Sequence, residues 1–416
     1  MMGERQTDHP ALFYEFSLER HVPGDHLLRS IDRFVDLGDI REQLRPFYSD
    51  TGRPSVDPEL MIRMLIVGYC MGIRSESDLL RKLFESTVAR CIAKGLVGGQ
   101  GFAVDASIIK ADANRQNSTP GDRWKPPDDP GHAVREYLAV LDEAAFGGAT
   151  QVVPKFIATA DPASRWTGAN GGLAFFAYSD NYLIDLDHAV IVDVEATTSV
   201  RQAEVTAARR MIERTQARFG LWPERLAADA GYGDAANLAW LVEERGIKPH
   251  IPAFDKSARR DGTFERADFV YDHADDSYIC PGGKRLRQRR KVYREPRPFV
   301  DENGLMRYRA SKLDCDACGL KQRCTPNMPA RKILRSIHEG ARDIARDLAL
   351  TDAYLTSRRQ RKKVEMLFAH LKRILKLDRL RLRGPNGAKD EFLLAATAQN
   401  LRKLAKLVTI PQPAPA

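Results

Sequence analysis

Three acidic residues in this 416-residue chain stand in positions suited to chemistry. Asp105 closes the apolar run Phe102, Ala103, Val104, and Asp229 closes Leu226, Ala227, Ala228. A carboxylate after such a run either stands at a strand's end, facing a cleft, or is buried and needs a partner. Strand ends of α/β sheets are where ligands bind. Taken singly, each is also readable as a turn or cap residue. Asp112 begins a polar connection, and Asp234 precedes AANLAWLVEE, as a helix N-cap would. Glu365 lies in a helical pattern. At about 100° per residue, Val364, Leu367, Phe368, Leu371, Ile374 and Leu375 share one apolar face. Arg358, Arg361, Glu365 and Lys372 form a narrow stripe beside it. Alone, Arg361 and Glu365 would be an ordinary i, i+4 pair.

Taken together, the three acids describe a site for phosphodiester chemistry. Cleaving or transferring such an ester requires neutralising a pentacoordinate phosphorus and activating a water or a 3′-hydroxyl. Two divalent ions about 4 Å apart accomplish both. Mg²⁺, or Mn²⁺ in its place, prefers oxygen ligands such as carboxylates. Arg358, Arg361 and Lys372 beside the acids would then grip the flanking DNA backbone.

The charge distribution points the same way. The chain carries 65 Lys+Arg against 56 Asp+Glu, a formal net charge of +9. Residues 281–297 hold eight Lys/Arg, among them Arg287, Arg289 and Arg290, and residues 356–383 hold eleven. Two such blocks suit double-stranded DNA, whose phosphates attract cations regardless of sequence; two solvated faces are the plainer reading. The start of the chain lacks the layout of a signal peptide. No apolar run approaches the ~18 residues that span a bilayer. Six cysteines are too few for a disulfide scaffold, which predicts a reduced, cytoplasmic protein and no membrane partner. Cys280 sits in a Cys-Pro-Gly-Gly turn, and Cys315, Cys318 and Cys324 form CDACGLKQRC. CxxC spacing lets two thiolates chelate one ion, and Cys280 with Cys324 would complete a structural Zn²⁺ site. Buried free thiols are the alternative. Cys70, Cys91 and Trp240 read as core, His188 as a strand residue, and Tyr232 as either packing or a DNA contact.

The elements that must position these residues follow from periodicity. Residues 18–96 read as helical, with Leu60, Met61, Met64, Leu65 and Ile66 after Pro58. GFAVDASIIKA at 101–111 reads as a strand, and 113–132 as a polar connection followed by a short helix over 133–145. Residues 172–195 suggest two strands joined at Ser179–Asn181. A helix over 199–216, a strand ending at Asp229, a helix after Asp234 and helical pattern over 340–376 complete an α/β layout with a mixed sheet. The domains expected are 1–98, helical; 99–247, the first part of the core; 248–335, a basic, Cys-containing insertion; 336–408, the rest of the core with the Glu helix; and a Pro-rich tail, 409–416.

At these residues the chain resembles the insertion-sequence transposases of the Asp-Asp-Glu type. FAVDASIIKADAN at 102–114 is similar to that family's first-aspartate strand, and LAADAGYGD at 226–234 to its second motif. Its third motif reads Tyr, two residues, Arg, three residues, Glu, six residues, Lys. Arg361, Glu365 and Lys372 match it, while Arg358 stands at the Tyr position. The resemblance runs from about residue 13 to 405. It implies a ribonuclease-H-like core with Asp105, Asp229 and Glu365 as catalytic metal ligands, and a helical N-terminal domain that binds DNA ends or multimerises. It also implies cleavage at terminal inverted repeats, strand transfer to target DNA, a homodimer, no organic cofactor and association with the nucleoid. One departure stands out: GIRSE at 72–76 runs directly into SDLLRKLFE, and no Trp precedes Trp124. This looks like an internal deletion near 76–77. It leaves open a decayed or repurposed relative that binds DNA without cutting it.

Overall fold

The computed structural model describes residues 39–48, 57–60, 63, 76–148, 150–168, 172–254, 261–288, 298–302 and 304–407. The chain divides into two compact units, 1–83 and 84–416. In the first, a short helix, Ile40–Leu44, leads into a 3₁₀ turn, and Arg41 pairs with Asp57 at 2.6 Å. Residues 58–60 and 63 are helical, as expected after Pro58. Met61, Met64, Leu65, Ile66 and Cys70 lie outside the described residues, as does GIRS at 72–75. Helix α1 (Glu76–Ala93) runs through SDLLRKLFE and buries Cys91.

The second unit is built on a six-stranded mixed sheet. Its strands are β1 (Gly101–Lys110), β2 (Arg165–Thr167), β3 (Phe175–Asp185), β4 (Ile191–Thr198), β5 (Arg225–Ala227) and β6 (Lys248–His250). The order is β2-β3-β1-β5-β6, with β4 paired to β3. β1, β3 and β4 are antiparallel neighbours, whereas β1, β5 and β6 run parallel. Helices α2 (His132–Ala139), α3 (Arg201–Phe219), α4 (Ala235–Ala239), α5 (Glu339–Leu348), α6 (Asp352–Arg373) and α7 (Gly384–Leu407) accompany it.

Alternation along β1 assigns the two faces. Phe102 and Val104 join Leu226, Met211, Ile212, Leu238, Trp240 and Ala341 in one core, which α3, α4 and α5 cover. α6 packs on the other face, where Tyr182, the cross-strand partner of Asp105, stacks on Phe368 at 4.6 Å. None of the described helices is long and apolar enough to cross a membrane.

Several local expectations are corrected. Ser179–Asn181 is no turn: β3 runs straight through it, and all three side chains are fully buried. A buried polar strand residue is tolerable when its hydrogen bonds are made. The Asn181 amide donates to the Ser179 and Glu195 carbonyls and to Thr197, and the Ser179 hydroxyl donates to Glu204. The chain turns later, at 186–190, where the Asp185 carboxylate accepts from the N–H groups of Asp187 and His188. His188 is thus an exposed turn residue, not a strand residue. The helical pattern over 340–376 breaks at Thr351, whose hydroxyl caps α6 by accepting from the Tyr354 N–H. α6 ends at Arg373, which leaves Ile374 exposed, off the apolar face assigned to it.

Between β6 and α5 the described residues lie outside the six-stranded sheet. They form β7 (Val270–Asp272), β8 (Ser277–Ile279) and β9 (Arg285–Leu286) in one small sheet, and β10 (Leu305–Arg309) with β11 (Lys332–Ser336) in another. Phe269, Tyr278, Leu286, Tyr308 and Ile333 give this insertion a core of its own.

The sheet's last strand is tied to α6 by one imidazole. His250 Nδ1 lies 2.8 Å from Ser357 Oγ, and its ring packs on Tyr354. Burial, with Arg225 and Lys248 nearby, lowers its pKa to about 4. The folded chain therefore keeps His250 neutral while the unfolded chain protonates it below about pH 6.5. Stability is expected to fall between pH 6.5 and 4 by up to about 1.4 kcal/mol per pH unit more in the wild type than in His250→Gln. Melting temperatures of the two proteins across that range test this; parallel curves would refute it.

Candidate active site

Asp105 lies midway along β1, and its position relative to Asp229 follows from strand register. In the parallel pair β1–β5, Phe102 faces Leu226 and Ala103 faces Ala227. Two residues further along each chain, the same register carries Asp229 to the level of Asp105. Neighbouring strands run about 4.8 Å apart, which sets Asp229, just past the end of β5, within electrostatic reach of Asp105. Glu365 comes from α6, which crosses β1 on the Asp105 face.

Arg361, one turn before Glu365, joins the helix to the sheet. Its guanidinium donates to Asp105 Oδ2 at 3.1 Å and to Glu365 Oε1 at 3.0 Å. Asp105 and Arg361 are each 19% exposed and Glu365 54%, so the group grades from half-buried to open. The Asp105 carboxyl is raised to about 6. Burial is the main cause; the Ala106 N–H and Arg361 oppose it, and the charges of Asp229 and Glu365 reinforce it. Both other acids thus bear on Asp105.

Asp229 is held by its own motif. Its carboxylate accepts from the Gly231 N–H at 2.8 Å, capping the 3₁₀ turn Ala230–Tyr232. A side chain at 231 would meet the Arg201 guanidinium, since a Cβ there would lie 2.2 Å from Nη1. At 233 it would meet the Pro252 carbonyl at 2.0 Å. Both glycines are close-approach residues, one toward a cation and one toward the backbone. Asp234 caps α4, as its sequence context predicts, by accepting from the Asn237 N–H. Tyr232 is fully buried and does not face solvent. Trp240 is buried too, with Arg209 and Arg245 over its ring at 5.2 and 5.3 Å.

The other expected site residues are dispersed. Arg358 is exposed on α6, one turn before Arg361. Lys372 is half-buried two turns beyond Glu365; burial lowers its pKa, and the charges of Asp180 and Asp378 oppose this. Arg287 is exposed in the insertion and pairs with Asp275 at 2.8 Å. Arg289 and Arg290 lie outside the described residues. Asp112 pairs with Arg379 and Arg383, away from the three acids.

In the insertion, Cys280, Cys315, Cys318 and Cys324 are free thiols. The other three influence Cys324, whose thiol is pushed up mainly by burial. The Lys284 N–H donates to Cys280 Sγ at 3.3 Å, and a Cβ on Gly282 would lie 3.4 Å from Cys318 Sγ. Among the described residues, no three His, Cys, Asp or Glu side chains stand arranged to enclose an ion.

Two residues near the acids carried no motif. Arg201 of α3 lies 3.6 Å from Asp229 and 3.5 Å from Glu204. Glu204 accepts from Ser179 in β3 at 2.7 Å. The available signal was a cation in the first turn of a helix, where acids are favoured.

Chemically, three carboxylates offer hard oxygen donors for divalent cations, and the arginines among them offer forks for phosphate. Residues 16–107 match a family model described as Transposase domain (DUF772), and residues 279–405 match one described as Transposase DDE domain. No curated protein and no solved structure matches the chain significantly. The first match covers the strand of Asp105, and the second covers the four insertion cysteines together with the helix of Glu365. Joined in one chain, the two matches identify this protein as an insertion-sequence transposase of the DDE type.

Proposed function

We propose that this transposase cuts DNA at the ends of its element and joins the freed 3′-hydroxyl to target DNA, using Asp105, Asp229 and Glu365. The observation that carries this reading is the approach of the three acids: Asp105 on β1, Asp229 just past the end of the adjacent parallel strand β5, and Glu365 tied to Asp105 through Arg361. The mixed sheet, with Asp105 on a central strand and Glu365 on a helix crossing it, accords with a ribonuclease-H-like core.

The donor set fits divalent ions by its chemistry. Asp105, Asp229 and Glu365 would hold Mg²⁺ or Mn²⁺, which would neutralise the phosphate and activate the attacking oxygen. Arg361 must release Asp105 Oδ2 and Glu365 Oε1 for those oxygens to become ligands. Its guanidinium is then free to take a phosphate oxygen of the DNA. Arg358, exposed one turn earlier, extends that contact along the backbone, and Lys372, two turns beyond Glu365, is expected to add a further contact to the DNA. Arg287, with Arg289 and Arg290, would grip DNA outside the catalytic centre. Terminal inverted repeats are the expected substrate, and a homodimer in the cytoplasm, on the nucleoid, the expected assembly.

Cys280, Cys315, Cys318 and Cys324 are proposed to hold one structural Zn²⁺. The Lys284 N–H···Sγ bond, the approach of Cys280 and Cys318 to the Gly282 turn and the electrostatic reach of all three other thiols to Cys324 support this.

Duplex DNA carrying the sequences that flank the gene is the substrate for the decisive assay. With Mn²⁺ or Mg²⁺, wild type is expected to cut at the element ends, and Asp229→Ala and Glu365→Ala to lose at least ~100-fold of that activity. Cutting that survives both substitutions would mean the site is misplaced. Tight end binding without any cutting would instead favour a DNA-binding protein descended from a transposase, consistent with the short junction at residues 76–77. For the insertion, elemental analysis of purified protein should find one zinc per chain, reduced to well below half in Cys315→Ser. Absence of stoichiometric zinc in protein purified without chelators would leave the cysteines as packed thiols.

A further inference from the structure

Arg201 opens α3 at the positive end of the helix dipole, where a cation is disfavoured by roughly 0.3–1 kcal/mol. Helix stability does not explain it. Nor do its contacts resemble those of an arginine given over to structure. Arg214, further along α3, donates to Asp193 at 2.7 Å and to Glu195 at 3.1 Å. Arg201 makes only two long ion pairs, 3.6 Å to Asp229 and 3.5 Å to Glu204, and no hydrogen bond among the described residues. A guanidinium carries five N–H donors, and this one is 51% exposed.

Its position is nevertheless built. Glu204 is buried and fixed by the Ser179 hydroxyl at 2.7 Å. Gly231 leaves room for the guanidinium, since a Cβ there would clash with it at 2.2 Å. Beneath lies Tyr232, with its ring centroid 5.8 Å from the Arg201 guanidinium carbon. The Tyr232 hydroxyl is fully buried without a hydrogen-bond partner and lies within electrostatic reach of Asp105, Asp229 and Glu204.

We propose that Arg201 is a phosphate-binding residue of this active site, gripping the DNA strand on the Asp229 side, with Glu204 as the residue that positions it. The inference rests on the assignment of Asp105, Asp229 and Glu365 given above. Arg361 lies between the other two acids, so the two arginines flank the place where a phosphate would sit. The planar fork of Arg201 can donate to two phosphate oxygens at once, as a lysine cannot. Glu204 keeps the guanidinium from closing fully onto Asp229, which leaves that carboxylate available to a cation.

The test measures binding of the flanking-end duplex in Ca²⁺ as a function of salt, together with cutting in Mn²⁺. Losing one phosphate contact lowers the slope of log K against log salt by about 0.9. Arg201→Gln should show that decrease and cut about 100-fold more slowly. Arg201→Lys, which keeps the charge and the fold, should recover the salt slope but little of the rate. Glu204→Gln should lose part of the rate, and the double variant Arg201→Gln/Glu204→Gln no more than Arg201→Gln alone. An unchanged salt slope in Arg201→Gln, or additive losses in the double variant, would overturn the proposal. Asp229→Asn, run in parallel, separates the two failures. If it abolishes cutting while the Arg201 variants behave as wild type, only this inference falls; if it cuts normally, the assignment of the acids falls with it.

Discussion

Three acids, Asp105 within a central strand, Asp229 just past the end of its neighbour and Glu365 on the helix that crosses them, set the terms for the rest of this protein. At an effective dielectric constant near 20, two carboxylates 4 Å apart repel by about 4 kcal/mol, and the half-buried Asp105 also forfeits water. Cations supplied from two helices offset this. Arg361 of α6 lies between Asp105 and Glu365, and Arg201 of α3 stands beside Asp229. Both helices must therefore be anchored firmly. α6 is held by the Tyr182–Phe368 stack, the His250–Ser357 bond and the Gln399 amide, which donates to the Leu367 carbonyl. α3 is held by Met211 and Ile212 in the core, and by Arg210 and Arg214 pairing with Asp193 and Glu195 of β4.

β3 carries much of that load. All but the first of its eleven residues are buried, polar ones included, because it has neighbours along both edges and helices over both faces. Its hydroxyl and amide side chains are spent on neighbours: Ser179 fixes Glu204, and Asn181 clips β3 to β4. Asp185 accepts from the N–H groups of Gly98 and Gly99 and closes the entry to β1. Asp180 is the exception. Both its oxygens are buried without a hydrogen-bond partner, and burial pushes its carboxyl well up against the opposing influence of Tyr182 and Lys372. Lys372 of α6 supplies an opposing positive charge to this buried acid.

The insertion solves a different problem, that of stabilising a small unit with little aliphatic core. Arg335 lies 3.6 Å over the Tyr271 ring, and Tyr271, Tyr278 and Tyr308 pack edge-on or tilted within 5.0 to 6.1 Å of one another. Asp276 accepts from the Tyr271 and Tyr308 hydroxyls. Aromatic and charged contacts replace aliphatic mass there, and Cys280, Cys315 and Cys324 pack against the same cluster.

Composition and spacing by themselves were enough for the α/β layout, the apolar strands before Asp105 and Asp229, the helix of Glu365 and the cap at Asp234. Each of these is local: it depends on residues within one turn or one strand of each other. Sequence pattern failed where burial was paid for by distant partners. Ser179–Asn181 reads as a polar turn, and only Glu204, Glu195 and Thr197 make it a strand; Ile374 keeps helical phase but loses its place because α6 ends one residue earlier. The level at which Asp105 meets Asp229, the bridge from Arg361 to both Asp105 and Glu365, and the approach of Arg201 were decided by tertiary structure alone. Strand register and helix docking bring together residues as far apart as Asp105 and Arg361, 256 positions along the chain, and no periodicity within the chain encodes such a meeting.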